Sequence, residues 1–286
     1  MRRTGGRPVH LGILTEPFSN APVGQAIAWA GASGFEAVEI SCRRPAHFDV
    51  RQARSGGGLD AVRTQLAAAQ VRVSALAYYV NLLDPDLSVR TEAIDTARAT
   101  VDCAAALKID TVCLMAGLPM PGKTKLATIA EDAPAVYGPL ADYAAARGVR
   151  IAFENWFQTN LQGLAHFDAM FSAVPQPNVG LNFDPSHLVH QDIDYIAAVH
   201  RYAPRIFHAH AKDVEIRADI RRHVGNRETG WWRYVIPGFG VIPWGPFIGA
   251  LRSAGYDGVL SIEHEDKAQS REDGFLRGAR HLRQYL

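Results

Sequence analysis

The chain has 286 residues, of which 48% are hydrophobic and 21% charged, with a formal net charge of +1, so it can form one large domain or two small ones. The balanced charge argues against a nucleic-acid-binding protein, which needs a concentrated basic face, and no apolar run reaches the roughly 18–20 residues of a membrane span. Its three cysteines form no C-x-x-C pair and its N-terminus has no hydrophobic signal region, which predicts a cytoplasmic protein without a disulfide framework.

Eight short apolar runs along the chain are predicted to be β-strands, and Ala-rich amphipathic segments lie between them. In chain order the runs span residues 9–14, 37–41, 71–79, 111–117, 149–155, 179–187, 206–213 and 258–266. Gly34, Gly148 and Gly255 each come just before a strand, which is typical of the end of a helix. This alternation predicts one α/β domain over residues 1–286, a parallel (β/α)8 TIM barrel.

A doubly wound open sheet is the alternative fold for the same alternation of strands and helices. That fold usually carries a glycine-rich phosphate-binding loop directly after an early strand. Here the glycine run at 56–58 lies well past the second strand, so we interpret it as a flexible connection. The barrel is therefore the favoured fold.

The longest irregular region is predicted at about residues 214–243, after the seventh strand. It is rich in aromatic residues and glycine, and it leads through the stretch GNRETGWWRYVIPGFGVIPW. In a TIM barrel this loop would lie on the C-terminal face, where active sites form, and long loops in compact domains are usually functional or disordered. The pair Trp231 and Trp232 argues against disorder.

The seventh run, IFHAHAKD, reads as a buried strand, yet it holds two histidines, a lysine and an aspartate. Because side chains alternate faces along a strand, both histidines and Lys212 share one face. Buried polar groups need partners, so this face is predicted to be unlike an ordinary core. We interpret His208 as a hydrogen-bonded interior histidine and the inward-facing Glu39 as part of a structural polar layer. Lys212 and Asp213 fit either an ion pair at the rim or contacts to substrate.

The same alternation turns one potential metal ligand inward near the end of each of four late strands. These residues are Glu154, Asp184, His210 and Glu263. Converging carboxylates repel one another unless a cation or protons offset them, and a divalent ion would change the charge of these three from −3 to −1. One imidazole among carboxylates suits Mn, Mg, Co or Fe better than a thiolate-rich zinc site. We therefore predict one divalent metal ion, with Mn2+ favoured over Mg2+, Co2+, Fe2+ and Zn2+.

Six segments, in this order and over nearly the whole chain, carry a resemblance to a known family: GFEAVEIS, GVRIAFEN, LNFDPSHL, HAHAKD, PGFGVIPW and GYDGVLSIEHED. With them the sequence resembles the xylose isomerase-like TIM-barrel superfamily, the sugar phosphate isomerase/epimerase group that includes ketose 3-epimerases. FDPSH followed by H-x-H-x-K-D is fairly specific for this superfamily, whereas activity varies widely within it.

The resemblance implies roles for individual residues. The residues that match the metal ligands are Glu154, Asp184, His210 and Glu263. In the epimerases the first and last of these, both glutamates, also serve as the acid–base pair. His187 matches a histidine that contacts substrate oxygens, and Arg217 is the candidate for a substrate-binding arginine that often follows the metal histidine.

Aromatic side chains near the strand ends are candidates for stacking on the C–H face of a sugar. They are Trp156, Trp231 or Trp232, and Tyr78 or Tyr79. The WWRY segment lies outside the general epimerase pattern and indicates a larger or more apolar portion of the substrate.

The leading hypothesis for the function is a metal-dependent isomerase or epimerase that moves a proton on a ketose or related polyol through an enediolate. The alternative is a lyase of the same superfamily, either a dehydratase or an enzyme that cleaves 3-keto-glycosides, because an enediolate can also expel a β-leaving group. A phosphodiesterase and a non-catalytic subunit are weaker hypotheses. The expected partner is a small sugar or glycoside, without nucleic acid or membrane, and the Ala-rich segment 88–108 leaves a homo-oligomer open.

Overall fold

The protein folds as a closed parallel barrel of eight strands with helices between them, as the alternation of strands and helices predicts. The computed structural model describes residues 9–55 and 57–286, so the N-terminal arginines and Gly56 of the predicted flexible connection lie outside it. Around the barrel the strands follow the order β1-β10-β7-β6-β5-β4-β3-β2, and β1 pairs with both β2 and β10, which closes the cylinder. The predicted (β/α)8 TIM barrel is confirmed.

Ten strands lie within the described residues, eight in the barrel and two, β8 and β9, in a separate antiparallel pair. Their bounds are β1 His10–Leu14, β2 Ala37–Ser41, β3 Arg72–Tyr78, β4 Thr111–Met115, β5 Arg150–Glu154, β6 Val179–Phe183, β7 Ile206–Ala211, β8 Asp213–Ile216, β9 Trp232–Val235 and β10 Val259–Ile262.

The helices of the same residues cover the outside of the barrel and the loops at its two ends. They are α1 Val23–Ala32, α2 Pro45–Phe48, α3 Val50–Ser55, α4 Gly58–Ala69, α5 Leu87–Leu107, α6 Lys125–Glu131, α7 Ala133–Ala145, α8 Leu164–Ala173, α9 Ser186–Val189, α10 Tyr195–Tyr202, α11 Ala218–Val224, α12 Trp244–Ser253 and α13 Arg271–Leu282, with 3-10 turns at Glu16–Phe18 and Ala203–Arg205. No helix among these residues is long and apolar enough to cross a membrane.

Helix ends follow the predicted glycine pattern. Gly34, Gly148 and Gly255 follow the ends of α1, α7 and α12 by two or three residues and have φ angles of 74°, 69° and 85°. This left-handed conformation costs little only for glycine, which is why these positions end a helix and turn the chain into the next strand.

The barrel interior is narrow and filled mainly by small side chains. Its apolar cluster consists of Leu14, Ala75, Ala77, Cys113 and Ala152, all buried. The larger aliphatic and aromatic side chains of the strands point outward and pack under the helices.

The sixth and seventh strands are shorter than predicted. β6 ends at Phe183, because Pro185 has no amide hydrogen to continue the sheet and Ser186 begins the short helix α9. β7 ends at Ala211, and Asp213 starts the separate strand β8. The chain therefore leaves the barrel four residues earlier after β6 and two residues earlier after β7 than the sequence suggested.

The region after β7 is also more regular than predicted. Within 214–243 lie most of β8, the helix α11 and the strand β9, which pairs with β8. We call residues 214–243 the excursion after β7. The buried Asp213 carboxylate holds it in place, because this carboxylate accepts hydrogen bonds from the amides of Val214, Gly238 and Ile242 and from the Trp244 indole, at 2.8–3.0 Å. A Cβ atom on Gly240 would lie 2.2 Å from the same carboxylate, so only glycine fits there.

Candidate metal centre and active site

Four potential metal ligands meet at the C-terminal mouth of the barrel. Glu154 is the last residue of β5, Asp184 follows β6, His210 is near the end of β7 and Glu263 follows β10. These strands are consecutive neighbours around the barrel, so their ends lie side by side. One ligand atom from each of the four residues lies within 4.8 Å of the others.

The two most deeply buried members of this cluster are His210 and Asp184. His210 Nδ1 and Asp184 Oδ2 make no hydrogen bond among the described residues, although the Lys212 ammonium lies 3.2 Å from Asp184 Oδ2. The other oxygen of Asp184 accepts from the Ser186 amide at 2.8 Å, which turns Oδ2 towards the cluster. His210 Nδ1 lies 3.1 Å from Glu263 Oε2 and 3.6 Å from Glu154 Oε1. Three carboxylates and an imidazole that converge in a buried space fit a cation, since buried charged and polar groups need compensating partners.

Glu39 of β2 orients the His210 ring from the side of the ring that faces away from the potential metal ligands. Glu39 Oε2 lies 2.9 Å from His210 Nε2, and the Tyr79 hydroxyl donates to Glu39 Oε1 at 2.6 Å. Burial alone would raise the pKa of Glu39, but the imidazoles of His210 and His208 outweigh burial and lower the pKa to about 2. An ionised Glu39 accepts a hydrogen bond from the protonated Nε2 of His210, so that Nδ1 can bind a metal ion. This arrangement is common behind metal-binding histidines.

Glu39 is therefore more than the structural polar layer that the sequence suggested. The sequence feature that could have indicated this role is a glutamate on the inward face of a fully buried strand. The pattern of one strand, however, does not reveal which side chain faces that glutamate across the barrel. Glu39, His208 and His210 also lie close enough to form a second potential metal site. His208, however, uses both ring nitrogens, on Asn182 at 2.9 Å and Ser74 at 3.1 Å, as expected for an interior histidine.

Lys212 extends into the same cluster. Its Nζ lies 2.6 Å from Glu263 Oε2, 3.2 Å from Asp184 Oδ2 and 3.9 Å from Glu154 Oε1, and the side chain is only 2% exposed. Burial lowers the pKa of Lys212, but the charges of Glu263 and Asp184 outweigh it and hold the pKa well above its usual value. With Lys212 at +1 and three carboxylates at −3, a divalent ion would bring the cluster to neutrality.

His187 connects Glu154 of the metal cluster to Tyr234 of β9. Its Nε2 lies 3.3 Å from Glu154 Oε1, and its Nδ1 is hydrogen-bonded to the Tyr234 hydroxyl at 2.7 Å. Burial raises the pKa of Glu154, but its hydrogen bonds with His187 and His210 and the charge of Lys212 outweigh burial and hold the pKa well below its usual value. Glu154 is therefore ionised at neutral pH.

A chamber of about 330 Å³ opens above these residues. The predicted site residues that line it are Glu154, Trp156, His187, Lys212, Trp232 and Glu263. Its other lining residues are Leu14, Glu16, Arg43, Tyr79, Met115, Phe157, Gln158, Tyr234 and Glu265. A small polyhydroxylated molecule would meet carboxylates, an imidazole and an ammonium on one side and aromatic rings on the other.

Arg217 does not line this chamber. Its guanidinium is 42% exposed and lies 3.6 Å from Glu215, at the start of α11. Arg43, in the loop after β2, lines the chamber instead. The sequence could not distinguish these arginines, because both lie in loops, where side-chain direction follows no period.

Of each predicted aromatic pair, one member faces the chamber. Tyr79 and Trp232 line it, while Tyr78 packs in the core and Trp231 is buried beneath Arg221, whose guanidinium lies 5.5 Å from its ring. Adjacent residues in extended chain point to opposite sides, so only one of each pair can reach the site.

Comparison with known proteins gives matches along the whole chain. A family model described as xylose isomerase-like TIM barrel matches residues 27–285. An inosose dehydratase of Geobacillus thermodenitrificans is 30% identical over 132 residues, 44% of each chain, so the match covers less than half of that relative. The protein YfiH of Bacillus subtilis is 27% identical, with 96% of this chain and 99% of YfiH covered.

Solved structures share the fold at low sequence identity. The IolI protein with a bound zinc atom superposes with a TM-score of 0.77 at 19% identity, over 97% of this chain and 99% of IolI. An L-ribulose 3-epimerase superposes with a TM-score of 0.71 at 19% identity, over 97% and 93% of the two chains.

Proposed function

The chain belongs to the xylose isomerase-like TIM-barrel family, and from this premise we propose that it is a divalent-metal-dependent lyase of polyhydroxylated ketones. It removes a proton from the carbon next to the carbonyl and then expels a β-oxygen substituent. The observation that carries the proposal is Lys212, a buried ammonium 3.9 Å from Glu154 and 2.6 Å from Glu263. The inosose dehydratase relative supports the same class of reaction.

The donor set of the site fits a divalent metal. Glu154, Asp184, His210 and Glu263 would hold it, and three carboxylates with one imidazole favour Mn2+, Mg2+, Co2+ or Fe2+. Such an ion supplies positive charge that polarises a carbonyl and stabilises the oxyanion that develops when the neighbouring carbon loses its proton.

The side chains divide the proton transfers between them. Glu154 is ionised and ready to accept the proton from carbon at Oε1. Lys212 Nζ carries a proton beside it and can give this proton to the departing oxygen. A base and an acid 3.9 Å apart on one wall suit removal of a hydrogen and an oxygen substituent from the same face of a ring. His187, supported by Tyr234, binds a substrate hydroxyl.

A 3-epimerase or related isomerase is the second candidate function. The observation in its favour is the pair Glu154 and Glu263, which reach the chamber from β5 and from the end of β10 with two strands between them. One glutamate could remove a proton from one face of a carbon while the other returns it to the opposite face. Lys212 lies beside both glutamates and could protonate a departing oxygen, a step that a lyase needs and an epimerase does not, which is why we place the lyase first.

Product analysis in heavy water tests the proposal. The Mn2+-loaded protein is incubated with ketoses, inososes and 3-keto-glycosides, and deuterium uptake and products are followed by NMR and mass spectrometry. The lyase proposal expects an eliminated product, whereas a new stereoisomer with deuterium at the inverted carbon would favour the epimerase. Absence of both exchange and product across the panel would refute both candidates.

Variants of the acid and the base refine this test. Glu154→Gln should abolish both exchange and elimination, because the base is lost. Lys212→Met should keep deuterium exchange and lose about 10²-fold or more in the rate of elimination, because general acid catalysis typically contributes about 10²–10⁴-fold. Glu228→Gln, an exposed site in the loop before β9, is the matched control and should behave like the wild type. Full elimination activity in Lys212→Met would remove the proposed acid.

A further inference from the structure

Strand β9 contacts the segment that carries His187 at two points. The Trp232 ring stacks on His190, with ring centroids 4.0 Å apart and an interplanar angle of 5°. Two residues further along the same strand, the Tyr234 hydroxyl is hydrogen-bonded to His187 Nδ1 at 2.7 Å. His187 lies in the short helix α9, and His190 directly follows it. The two contacts therefore hold α9 against β9.

Tyr234 is itself held in place by its neighbours in the excursion after β7. Its backbone is paired with Val214 in the antiparallel ladder of β8 and β9. Arg233, the residue before it, forms an ion pair of 2.7 Å with the buried Asp266 in the loop after β10. The Tyr234 ring meets the His187 ring edge-on, at 5.2 Å and 88°. The hydroxyl therefore reaches His187 from one defined direction.

The other ring nitrogen of His187 has surroundings that favour a proton on it. His187 Nε2 lies 3.3 Å from Glu154 Oε1 and 3.5 Å from Asp184 Oδ2. An ionised carboxylate can only accept hydrogen bonds, and it repels the lone pair of an unprotonated nitrogen. Both contacts therefore favour an N–H group at Nε2.

The Lys212 ammonium could favour the opposite arrangement, because it lies 3.2 Å from the same Nε2 and could donate to it. This ammonium, however, lies 2.6 Å from Glu263 Oε2 and 3.2 Å from Asp184 Oδ2. Carboxylates form stronger hydrogen bonds with an ammonium than an uncharged imidazole does. Lys212 therefore has acceptors without His187, and the proton of His187 can remain on Nε2.

A proton on Nε2 makes His187 Nδ1 the acceptor of the bond with Tyr234. In an uncharged imidazole one nitrogen donates and the other accepts, so the bond made by one nitrogen sets the role of the other. Burial raises the pKa of Tyr234, so its hydroxyl keeps its proton and can donate it. The contacts of both nitrogens thus agree on one tautomer and one ring orientation.

We propose that Tyr234 is a positioning residue that acts through His187: its hydroxyl donates to Nδ1 and keeps the His187 proton on Nε2, where it forms a hydrogen bond to a substrate oxygen. This inference rests on the proposed function, in which His187 binds a substrate hydroxyl. The opposite tautomer would present a lone pair to the substrate instead of a donor. The excursion after β7 thus takes part in substrate binding, because β9 supplies the hydroxyl.

The position of the His187 proton can be measured without a substrate. Proton–nitrogen-15 correlation spectra of the full-length protein with labelled histidine distinguish the two tautomers, and loading with diamagnetic Mg2+ avoids broadening of the signals. The His187 signals are those that disappear in His187→Asn. We expect one tautomer with the proton on Nε2 in the wild type and detectable Nδ1–H in Tyr234→Phe. Phenylalanine keeps the ring that lies 4.6 Å from Lys212 Nζ, so only the hydroxyl is lost.

The kinetics of deuterium uptake test whether this positioning affects the reaction. The substrate is the ketone of the heavy-water panel that the Mn2+-loaded protein exchanges fastest. We expect Tyr234→Phe to raise KM roughly 3–10-fold and to change kcat less than about twofold, because one hydrogen bond made alike in the ground and transition states is weakened. Tyr285→Phe removes a hydroxyl from a tyrosine near the C-terminus and should leave both constants unchanged.

A double variant tests whether Tyr234 acts through His187. His187→Asn alone should raise KM, and adding Tyr234→Phe should change that KM less than about twofold, because residues that act through one contact are not additive. Additive effects would show that Tyr234 acts elsewhere and would overturn the inference.

The two measurements separate the inference from the proposed function. A wild-type His187 with its proton on Nδ1, or with protons on both nitrogens, would overturn the inference and leave the proposed function standing. The same follows if deuterium uptake occurs and Tyr234→Phe has the KM of the wild type. If no ketone exchanges deuterium, the proposed function fails and the substrate contact fails with it, while the spectra decide separately whether Tyr234 sets the His187 proton.

Discussion

At the scale of single residues, the metal centre depends on a glutamate that touches no substrate. Glu39 holds His210 Nε2 at 2.9 Å, and Tyr79 holds Glu39. This chain of hydrogen bonds selects the ring nitrogen that faces the carboxylates and fixes the ring before a metal arrives. Hydrogen-bonding partners behind metal ligands typically matter 10–100-fold for affinity.

Replacement of Glu39 by glutamine should therefore weaken metal binding. We expect the Kd for Mn2+, measured by isothermal titration calorimetry on metal-free protein, to rise about 10–100-fold in Glu39→Gln. Glu228→Gln is the control with the same chemical change at an exposed position. An unchanged Kd in a folded Glu39→Gln variant would show that Glu39 has only a structural role.

The buried His208 leads to a prediction about how the free energy of unfolding depends on pH. Burial lowers its pKa to about 4, while Glu39 opposes and His210 supports this shift. Between this value and the unfolded pKa of about 6.5 the unfolded state binds more protons, so stability falls as pH falls through this window. The contribution amounts to about 3 kcal/mol when the window has been crossed.

His208→Gln should flatten the acid side of the stability curve. Urea unfolding of metal-free protein between pH 7 and pH 4 measures the slope of the unfolding free energy, and the slope is compared instead of the absolute stability, which the substitution also lowers. His200→Gln replaces an exposed histidine and is the control. The same slope in wild type and His208→Gln would contradict the assigned pKa shift.

At the scale of elements, the excursion after β7 forms one wall of the chamber, and its position depends on Asp213. This buried carboxylate accepts four hydrogen bonds from the excursion and from α12. Strands β8 and β9 pair only with each other, so they depend on this attachment more than a barrel strand would.

Asp213→Ala should destabilise the protein and disorder this wall. We expect a loss of about 3 kcal/mol or more in the free energy of unfolding, because several buried donors lose their acceptor. Urea denaturation measures the loss, and quenching of tryptophan fluorescence by acrylamide should rise as Trp232 becomes accessible. Asp95→Ala, on the exposed side of α5, should cost less than about 0.5 kcal/mol. A loss that small in Asp213→Ala would contradict the role of Asp213 as an anchor.

At the scale of the whole molecule, a metal ion held by the four predicted ligands would connect four strands of the barrel and should stabilise the fold. A ligand at 100 times its Kd stabilises the native state by about 2.7 kcal/mol, which corresponds to roughly 4–5 °C in Tm for a chain of this size. We expect Mn2+ to raise the Tm of metal-free protein by this amount in differential scanning fluorimetry. Asp184→Asn should lose most of the increase, and an equal increase in that variant would place the ion elsewhere.

The sequence by itself determined the barrel and the four inward residues. Strands alternate with helices along the chain, and the period of two along each strand places Glu154, Asp184, His210 and Glu263 on the inner side at similar depth. Both patterns are local, so they can be read without knowledge of what lies across the barrel.

Only the tertiary structure decided what surrounds these residues. The contact of Glu39 with His210 joins β2 to β7, residues 171 positions apart in the chain. That Arg43 and Tyr79 line the chamber while Arg217 and Tyr78 do not likewise depends on how loops and distant strands meet. Loop side chains follow no period, and barrel closure brings together strands whose relative register no local pattern encodes.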